Sequence, residues 1–321
     1  MNRRPTVGLF ISELENAYAH NLYKGVLDAA EQNDVNMIVF PGKSPKSPYQ
    51  HQYQFNAIYE LPTRRSIDAL IIASGTMINF IPLEEFEAFY RKYTDVPLVS
   101  ISIPIVGIPG VLIDNSVGYH MAFDHLIHHH DCKRIAFITG PDNNTEARQR
   151  YRVYLDALEK NGIPLDPELV LDGDFTRFSA VRAINDLLVR GTAFDAIAAA
   201  NDEMALSALK TLKSRGINIP HDAALIGFDN VENARFCSPS LTTVLQPIYE
   251  QGRQALSMAL NRIGGADVSD IVLDTQLLIR ESCGCMSQSV KSINLSRSEV
   301  QGKLCDIVKD ITDGVFSKIK G

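Results

Sequence analysis

Tryptophan is absent from the 321 residues, and cysteine is scarce, with five copies. An odd number of thiols, of which only Cys283 and Cys285 are close in sequence, provides no disulfide framework. Reduced thiols in a reducing compartment are the simpler expectation. Long apolar runs are missing as well. Val7 to Ile11 is cut off by Ser12 and Glu13, whereas a secretory core needs about 7–15 apolar residues and a membrane span about 20. Positive charge is in deficit: 31 Lys and Arg against 38 Asp and Glu leave a net charge of −7. A domain that binds duplex DNA by itself is usually basic. The longest basic cluster, Arg148 to Arg152, contains Tyr151 and adjoins Glu146. Direct binding to DNA is therefore not expected. Catalytic signatures are lacking too, with no G-x-S-x-G, H-E-x-x-H, Walker lysine loop or G-x-G-x-x-G after a strand. The chain reads as cytosolic and non-enzymatic, with no cofactor and no membrane contact.

What is present is alternation. Apolar runs predict strands at Val7–Ile11, Val35–Phe40, Ala69–Ala73, Leu98–Ile101, Gly110–Ile113, Arg134–Thr139, Ala196–Ala200 and Ala224–Phe228. Helical periodicity predicts helices at Asn21–Gln32, Leu83–Tyr93, Val117–His130, Arg150–Asn161, Ser179–Arg190 and Met204–Arg215. Strand–helix alternation implies parallel sheets covered by helices, and the strands fall into two groups, before and after Asn115. Stop signals are clear at Asn161-Gly162, Gly191 and Arg215-Gly216. The polar, Pro-containing stretch from Gly42 to Tyr53 reads as an inserted loop. After Met286 the alternation ends, and Leu304, Val308, Ile311 and Val315 follow at heptad-like spacing.

Several strand ends carry polar residues suited to a ligand. Asn201 and Asp202 stand between a buried strand and a helix, where open α/β sheets bind ligands. Asn201 can both donate and accept toward adjacent hydroxyls, or simply cap the helix. Asp229 ends the next strand and suits a diol, although an Asp-Asn pair also forms turns. Arg150 lies in a first helical turn and can grip hydroxyls or a carboxylate with its fork. Ser12 to Tyr18 is a polar loop ending in an aromatic, which would either stack on a ring or pack beneath the loop.

These segments carry a resemblance. Residues 5–40 open with a strand–helix–strand unit. AANDEMALSALKTLKSRGINIPHDAALIGFDN (199–230) is followed by SPSLTTVLQPIYEQGRQA (238–255), Asp114-Asn115 comes with Gly118, and RIAFITGP covers 134–141. Together they resemble the LacI/GalR effector-binding domain over about Val7 to Cys285. The resemblance implies two doubly wound parallel-sheet α/β lobes of the periplasmic-binding-protein-like type I. One lobe would comprise 1–114 and 247–274, the other 115–246 and 275–285. Three crossovers near Asn115, Gln246 and Thr275 would join them, and 286–321 would form a helical tail. It implies ligand contacts at Ser12, Tyr18, Ser74, Arg150, Phe175, Asn201, Asp229 and Gln246. It also implies a carbohydrate effector, a homodimer and a role in transcription or signalling. Glu146 departs from the Ser often found there, and the loop between Phe40 and Arg65 is longer than usual. That loop, SGTMINFI (74–81) and LLIRESCGCM (277–286) resemble sensors that precede diguanylate cyclase or histidine kinase modules. Only Met1 to Arg4 precede the first strand, so a helix-turn-helix headpiece is not expected in this chain. The alternative is a solute-binding protein of a sugar transporter.

His125 and His129, four apart on a predicted helix, have a workable zinc spacing, with His128, His130 and Cys132 nearby. Histidine at a helix C-terminus is also favourable against the dipole. With no histidine expected beside Cys283 and Cys285, the reading taken is structural histidines, reduced thiols and no metal.

Overall fold

A computed structural model describes residues 3–49 and 51–286. The heptad-like stripe of Leu304, Val308, Ile311 and Val315 lies outside the described residues. In chain order the strands are β1 (Thr6–Ile11), β2 (Asn36–Pro41), β3 (Ala69–Ile72), β4 (Leu98–Ile101), β5 (Gly110–Ile113), β6 (Ile135–Ile138), β7 (Val170–Leu171), β8 (Ala196–Ala199), β9 (Ala224–Asp229), β10 (Thr242–Leu245), β11 (Ile271–Leu273) and β12 (Gln276–Leu278). The helices are α1 (Ala17–Gln32), α2 (Ser74–Met77), α3 (Leu83–Tyr90), α4 (Val117–Asp124), α5 (Thr145–Lys160), α6 (Arg177–Arg190), α7 (Asp202–Ser214), α8 (Glu232–Phe236) and α9 (Ile248–Ile263).

The strands form two six-stranded sheets, ordered β11-β5-β4-β3-β1-β2 and β12-β10-β9-β8-β6-β7. All neighbours are parallel except β12, which runs antiparallel to β10. Val7, Leu9, Phe10 and Ile11 on β1 are fully buried. A parallel strand covered on both faces needs apolar residues throughout, which explains the uninterrupted run. On one face of the first sheet lie α1 and α9; on the other is an aromatic layer with Phe10, Phe40, Tyr59, Phe86 and Tyr93. A Cβ on Gly25 of α1 would meet the Tyr249 carbonyl oxygen of α9 at 2.0 Å, so these two helices touch backbone to backbone.

The chain passes from the first sheet to the second after β5, returns after β10 and passes again after β11. The first and third passages are laced together. Thr275 Oγ1 donates to the Asp114 carbonyl at 2.7 Å and accepts from Gly118 N at 3.1 Å.

The strands expected from apolar runs are present, and β7, β10, β11 and β12 add edge or near-edge pairings that two to four residues do not announce. Several helices start earlier than their periodicity indicates, because side-chain caps set the start. Asn16 accepts from Ala19 N, Asn144 from Glu146 N and Ala147 N, and Thr176 from Ser179 N. Arg150 is consequently in the second turn of α5 rather than the first. α4 also differs from expectation. It stops at Asp124 and continues as a π-helical turn over His125–His129.

Candidate functional site

Arg150 is the centre of a buried polar cluster between the two sheets, with only 3% of its surface exposed. Its Nε donates to Asn115 Oδ1 at 2.9 Å, Nη1 to the Ala200 carbonyl at 2.8 Å and Nη2 to Gln246 Oε1 at 3.3 Å. The guanidinium carbon sits 3.7 Å from the ring centre of Phe228 and 5.8 Å from that of Phe175. Glu146, one turn earlier on α5, and Asp229, at the end of β9, each approach a guanidinium nitrogen at 3.8 Å. That is too long for a hydrogen bond, so both carboxylates keep acceptor capacity. Glu146 Oε1 is buried and has no hydrogen-bond partner.

One cation faces more than one buried acid here, and the acids respond. Burial pushes Glu146 above the usual carboxylate range, and Arg150 only partly offsets this. Asp229 is raised well above the same range, chiefly by burial. Arg150 again opposes the shift, while Asp202 and Glu146 add to it. Asp202, fully buried under α7, is pushed up to about 7 by burial, despite a 2.6 Å hydrogen bond from Thr243 Oγ1 and one from Val231 N at 3.0 Å. Buried acids with raised pKa values in a cleft are functional-site candidates. The backbone agrees: Asp229, Asn230 and Phe175 all have positive φ (124°, 58° and 69°). Strain of this kind collects where a ligand is held.

From the first lobe, the Tyr18 hydroxyl lies 3.3 Å from Ser102 Oγ and accepts from Gln246 Nε2 at 3.3 Å. Tyr18 is partly buried, and desolvation of its hydroxyl raises its pKa. Ser102 and Asn115 flank Glu146 and favour its charged form. The lobes are closed on each other. Asn144 Nδ2 donates across the cleft to the Gly75 carbonyl and to Asn79 Oδ1, both at 3.1 Å. Tyr49, on the inserted loop, donates to Asp174 Oδ2 at 2.5 Å and packs on Phe178 at 5.6 Å between ring centres.

Of the residues expected at the site, Tyr18, Arg150, Phe175, Asp229 and Gln246 come together. Asn201 adjoins them. Its oxygen caps α7 through Met204 N, and its amide donates to the Phe175 carbonyl, so it both caps and positions the aromatic. Ser12 and Ser74 belong to networks inside the first lobe. Ser12 N donates to Thr76 Oγ1, and the Ser74 hydroxyl is buried 2.8 Å from Ser100 Oγ. Sequence reasoning missed Ser102, Asn144, Tyr49 and Asp174 as cleft residues. It registered Glu146 as a departure from pattern and, with Asp142, as a carboxylate pair near the cleft, but gave the pair no role beyond facing the neighbouring arginines.

Comparison with known proteins follows this geometry. A model of the periplasmic binding protein-like domain matches residues 123–283. The transcriptional repressor CytR of Escherichia coli (strain K12) is 32% identical over 235 residues, spanning 72% of this chain and 67% of the repressor. The chain belongs to the LacI family. Within that family, the repressor PurR of Haemophilus influenzae (strain PittEE) is 33% identical over 291 residues, 88% of this chain and 82% of PurR. Among solved structures, the transcriptional regulator CelR in complex with cellobiose superposes with a TM-score of 0.73 at 30% identity, over 88% of this chain and 85% of that one. These relatives are transcriptional regulators, not enzymes. The chain is a LacI-family effector-binding domain with two parallel-sheet α/β lobes. No helix among its described residues is long and apolar enough to cross a membrane.

A second cluster corrects an expectation. Cys283 and Cys285 are not remote from histidine, because His125 and His130 lie against them. The helical pair expected from sequence was His125 with His129. The pair that faces the thiols is His125 with His130, the residue that caps the π-helical turn over His125–His129.

Proposed function

We propose that this LacI-family domain holds a polyhydroxylated, carbohydrate-type effector between its lobes and passes their closure to an output module outside the described residues. The observation that carries this reading is the buried set of Arg150, Glu146 and Asp229 at the junction of both lobes, with Glu146 Oε1 unpaired. Burying one guanidinium and several acids costs stability that well-packed apolar side chains would not. A ligand with several adjacent hydroxyls satisfies such a set, since carboxylates accept and the Arg fork donates. CelR, a relative at 30% identity, is solved with cellobiose, which supports the carbohydrate class. In this reading Phe175 stacks on the ring, Tyr18 closes from the first lobe, and Gln246 and Asn201 hold their neighbours in place. Ser12 and Ser74 shape the first-lobe wall.

A ligand shifts the lobe equilibrium only by its differential affinity for the two forms. Contacts from both lobes supply that difference. The chain acts as a homodimer in the cytoplasm, and reading of DNA, where it occurs, falls to a module outside the described residues. The named relatives are regulators, which favours this reading over the transport alternative.

The test is calorimetric titration of the full chain with pentoses, hexoses, disaccharides including cellobiose, and nucleosides as a contrasting class. Asp229→Ala should weaken binding of the sugar so identified by about 2–4 kcal/mol, since hydrogen bonds to charged groups contribute about 1.5–3 each, while circular dichroism stays unchanged. Binding of nucleosides alone would replace the carbohydrate assignment. Unchanged affinity in Asp229→Ala would remove this residue from the site.

A further inference from the structure

Four side chains on two segments far apart in sequence converge at one end of the second lobe. His125 and His130 come from the π-helical turn after α4, and Cys283 and Cys285 from the turn that follows β12. One ligand atom from each lies within 4.8 Å of every other. Individual separations are 3.1 Å between the two Nε2 atoms, and 3.5 Å each for Cys283 Sγ to His125, Cys285 Sγ to His125 and Cys285 Sγ to His130. A tetrahedral zinc ion with Zn–N of about 2.0–2.1 Å and Zn–S of about 2.3 Å sets its ligand atoms about 3.3–3.8 Å apart. These four edges fall on or just below that range, and the other two, from Cys283 Sγ to His130 and to Cys285 Sγ, stay within 4.8 Å.

We propose that His125, His130, Cys283 and Cys285 form a structural zinc(II) site that fastens the C-terminal end of the described chain to the second lobe. This assignment is independent of the effector bound in the cleft.

The surroundings are built to present these ligands. Gly284 adopts φ +102° between the two cysteines, and a Cβ there would lie 3.4 Å from His130 Cε1. A glycine at this point lets both sulfurs face the imidazoles and lets the His130 ring come close. The turn is pinned to the lobe from behind. Ser282 Oγ donates to the Leu225 carbonyl at 2.6 Å, Ser282 N to the Ser240 carbonyl at 2.9 Å, and Glu281 accepts from Ser240 N at 2.9 Å and its hydroxyl at 3.0 Å. The His129 ring stacks on His125 with centres 4.9 Å apart and an 18° tilt, which fixes the plane of that ligand. Two thiolates and two imidazoles in a tetrahedron suit zinc over harder cations. Loading forms two Zn–S and two Zn–N bonds, and the two thiol protons pass to solvent. Four protein ligands leave no open position, so the site is structural rather than catalytic.

Untagged full-length protein should carry one equivalent of zinc by mass spectrometry of the metal. After chelator stripping it should take up cobalt(II) with the visible bands of tetrahedral coordination and thiolate-to-metal charge transfer. Cys285→Ser should lose the equivalent and bind zinc at least about 100-fold more weakly, a loss at or beyond the upper end of that seen for outer-sphere partners. Cys237→Ser should retain it, since that thiol bonds to the Ala234 and Pro239 carbonyls in its own turn and is not one of the four clustered ligands. If Cys285→Ser misfolds, the cobalt titration of the stripped native chain decides alone. No uptake of either metal, a cobalt spectrum without thiolate charge transfer, a Cys283–Cys285 disulfide in freshly isolated protein, or unchanged zinc affinity in a folded Cys285→Ser would each overturn the proposal.

Discussion

The acids around Arg150 bind protons more tightly in the folded chain than in the unfolded one, and this sets a pH dependence. Asp202 and Asp229 are raised by burial. Below the ordinary carboxylate range both states hold these protons and the associated stability is complete. Above about pH 4 the unfolded chain releases them first, so stability falls with rising pH until the folded groups ionise; for Asp202 that point is near 7. The lowered acids Asp114 and Asp174 act in the opposite sense, but only at lower pH, and are fully charged above about pH 5. Burial lowers His130, which acts in the opposite sense within this window, but it is one group against the raised acids, so the melting temperature of the ligand-free chain should decline from about pH 5 to pH 8. Asp202→Asn, which can still accept from Val231 N and meet Thr243, should flatten the slope. A profile that stays level in the native protein, or an unchanged slope in the variant, would contradict the assignment. At this scale the sequence was partly legible. Arg150 and Asp229 stand out because they lie at or near strand ends, where open α/β sheets bind ligands. Glu146 and Ser102 do not, because their importance lies in whom they face across the cleft.

At the scale of elements, α1 and α9 show how little room a helix pair can leave. A Cβ on Gly25 would sit 2.0 Å from the Tyr249 carbonyl oxygen, and one on Gly252 would sit 2.4 Å from that of Leu22. Neither obstacle is a flexible side chain, so the helices themselves must move apart. Gly25→Ala should cost about 3 kcal/mol, the upper end of overpacking penalties, read as a fall in urea midpoint. Gly264→Ala, where the nearest atom is 3.4 Å away, serves as a control with a change within about 0.5 kcal/mol, as at unconstrained surface positions. Equal effects would mean that α1 and α9 are not in backbone contact. The sequence shows an apolar stripe on α1 but not its partner, since α9 lies more than 200 positions away. It also shows histidines at helical spacing but not the π-helical turn, so the α-helical reading paired His125 with His129, found neither Cys283 nor Cys285 beside them and set metal aside.

For the whole molecule, the proposed function makes the balance between open and closed lobes the quantity to test, and the inserted loop bears on it. Tyr49 reaches from the first lobe to Asp174 of the second. Burial raises the Asp174 pKa, but hydrogen bonds, led by that from Tyr49, more than compensate and keep it charged. Tyr49→Phe removes one partly exposed bond to a carboxylate, worth about 1–2 kcal/mol, or about a five- to thirty-fold shift toward the open form. Small-angle scattering should show a larger radius of gyration, and sugar affinity should weaken correspondingly. Identical scattering and affinity would show that the loop does not hold the lobes. Dimerisation is tested by light scattering on the full chain and on a version ending at Met286. Both should be dimers if the lobes pair; two monomers at tens of micromolar would end the dimeric reading, and a dimer only with the tail present would move the contact to residues 287–321.

Uninterrupted apolar runs, polar strand ends and glycine stops are local properties, and they were enough to give two groups of parallel strands with Arg150, Asn201 and Asp229 at their ends, while Phe175 and Gln246 came from the family resemblance. Pairing across distance is not local. Whether Glu146 meets Ser102, Tyr49 meets Asp174, or Cys285 meets His130 depends on how separate segments are brought together by the sheets and their three crossovers. Each such contact joins residues tens to more than a hundred positions apart, and their spacing in the chain carries no trace of it. The fold was therefore readable from patterns of burial, while the charge balance of the cleft and the Cys–His cluster were decided only when those segments packed.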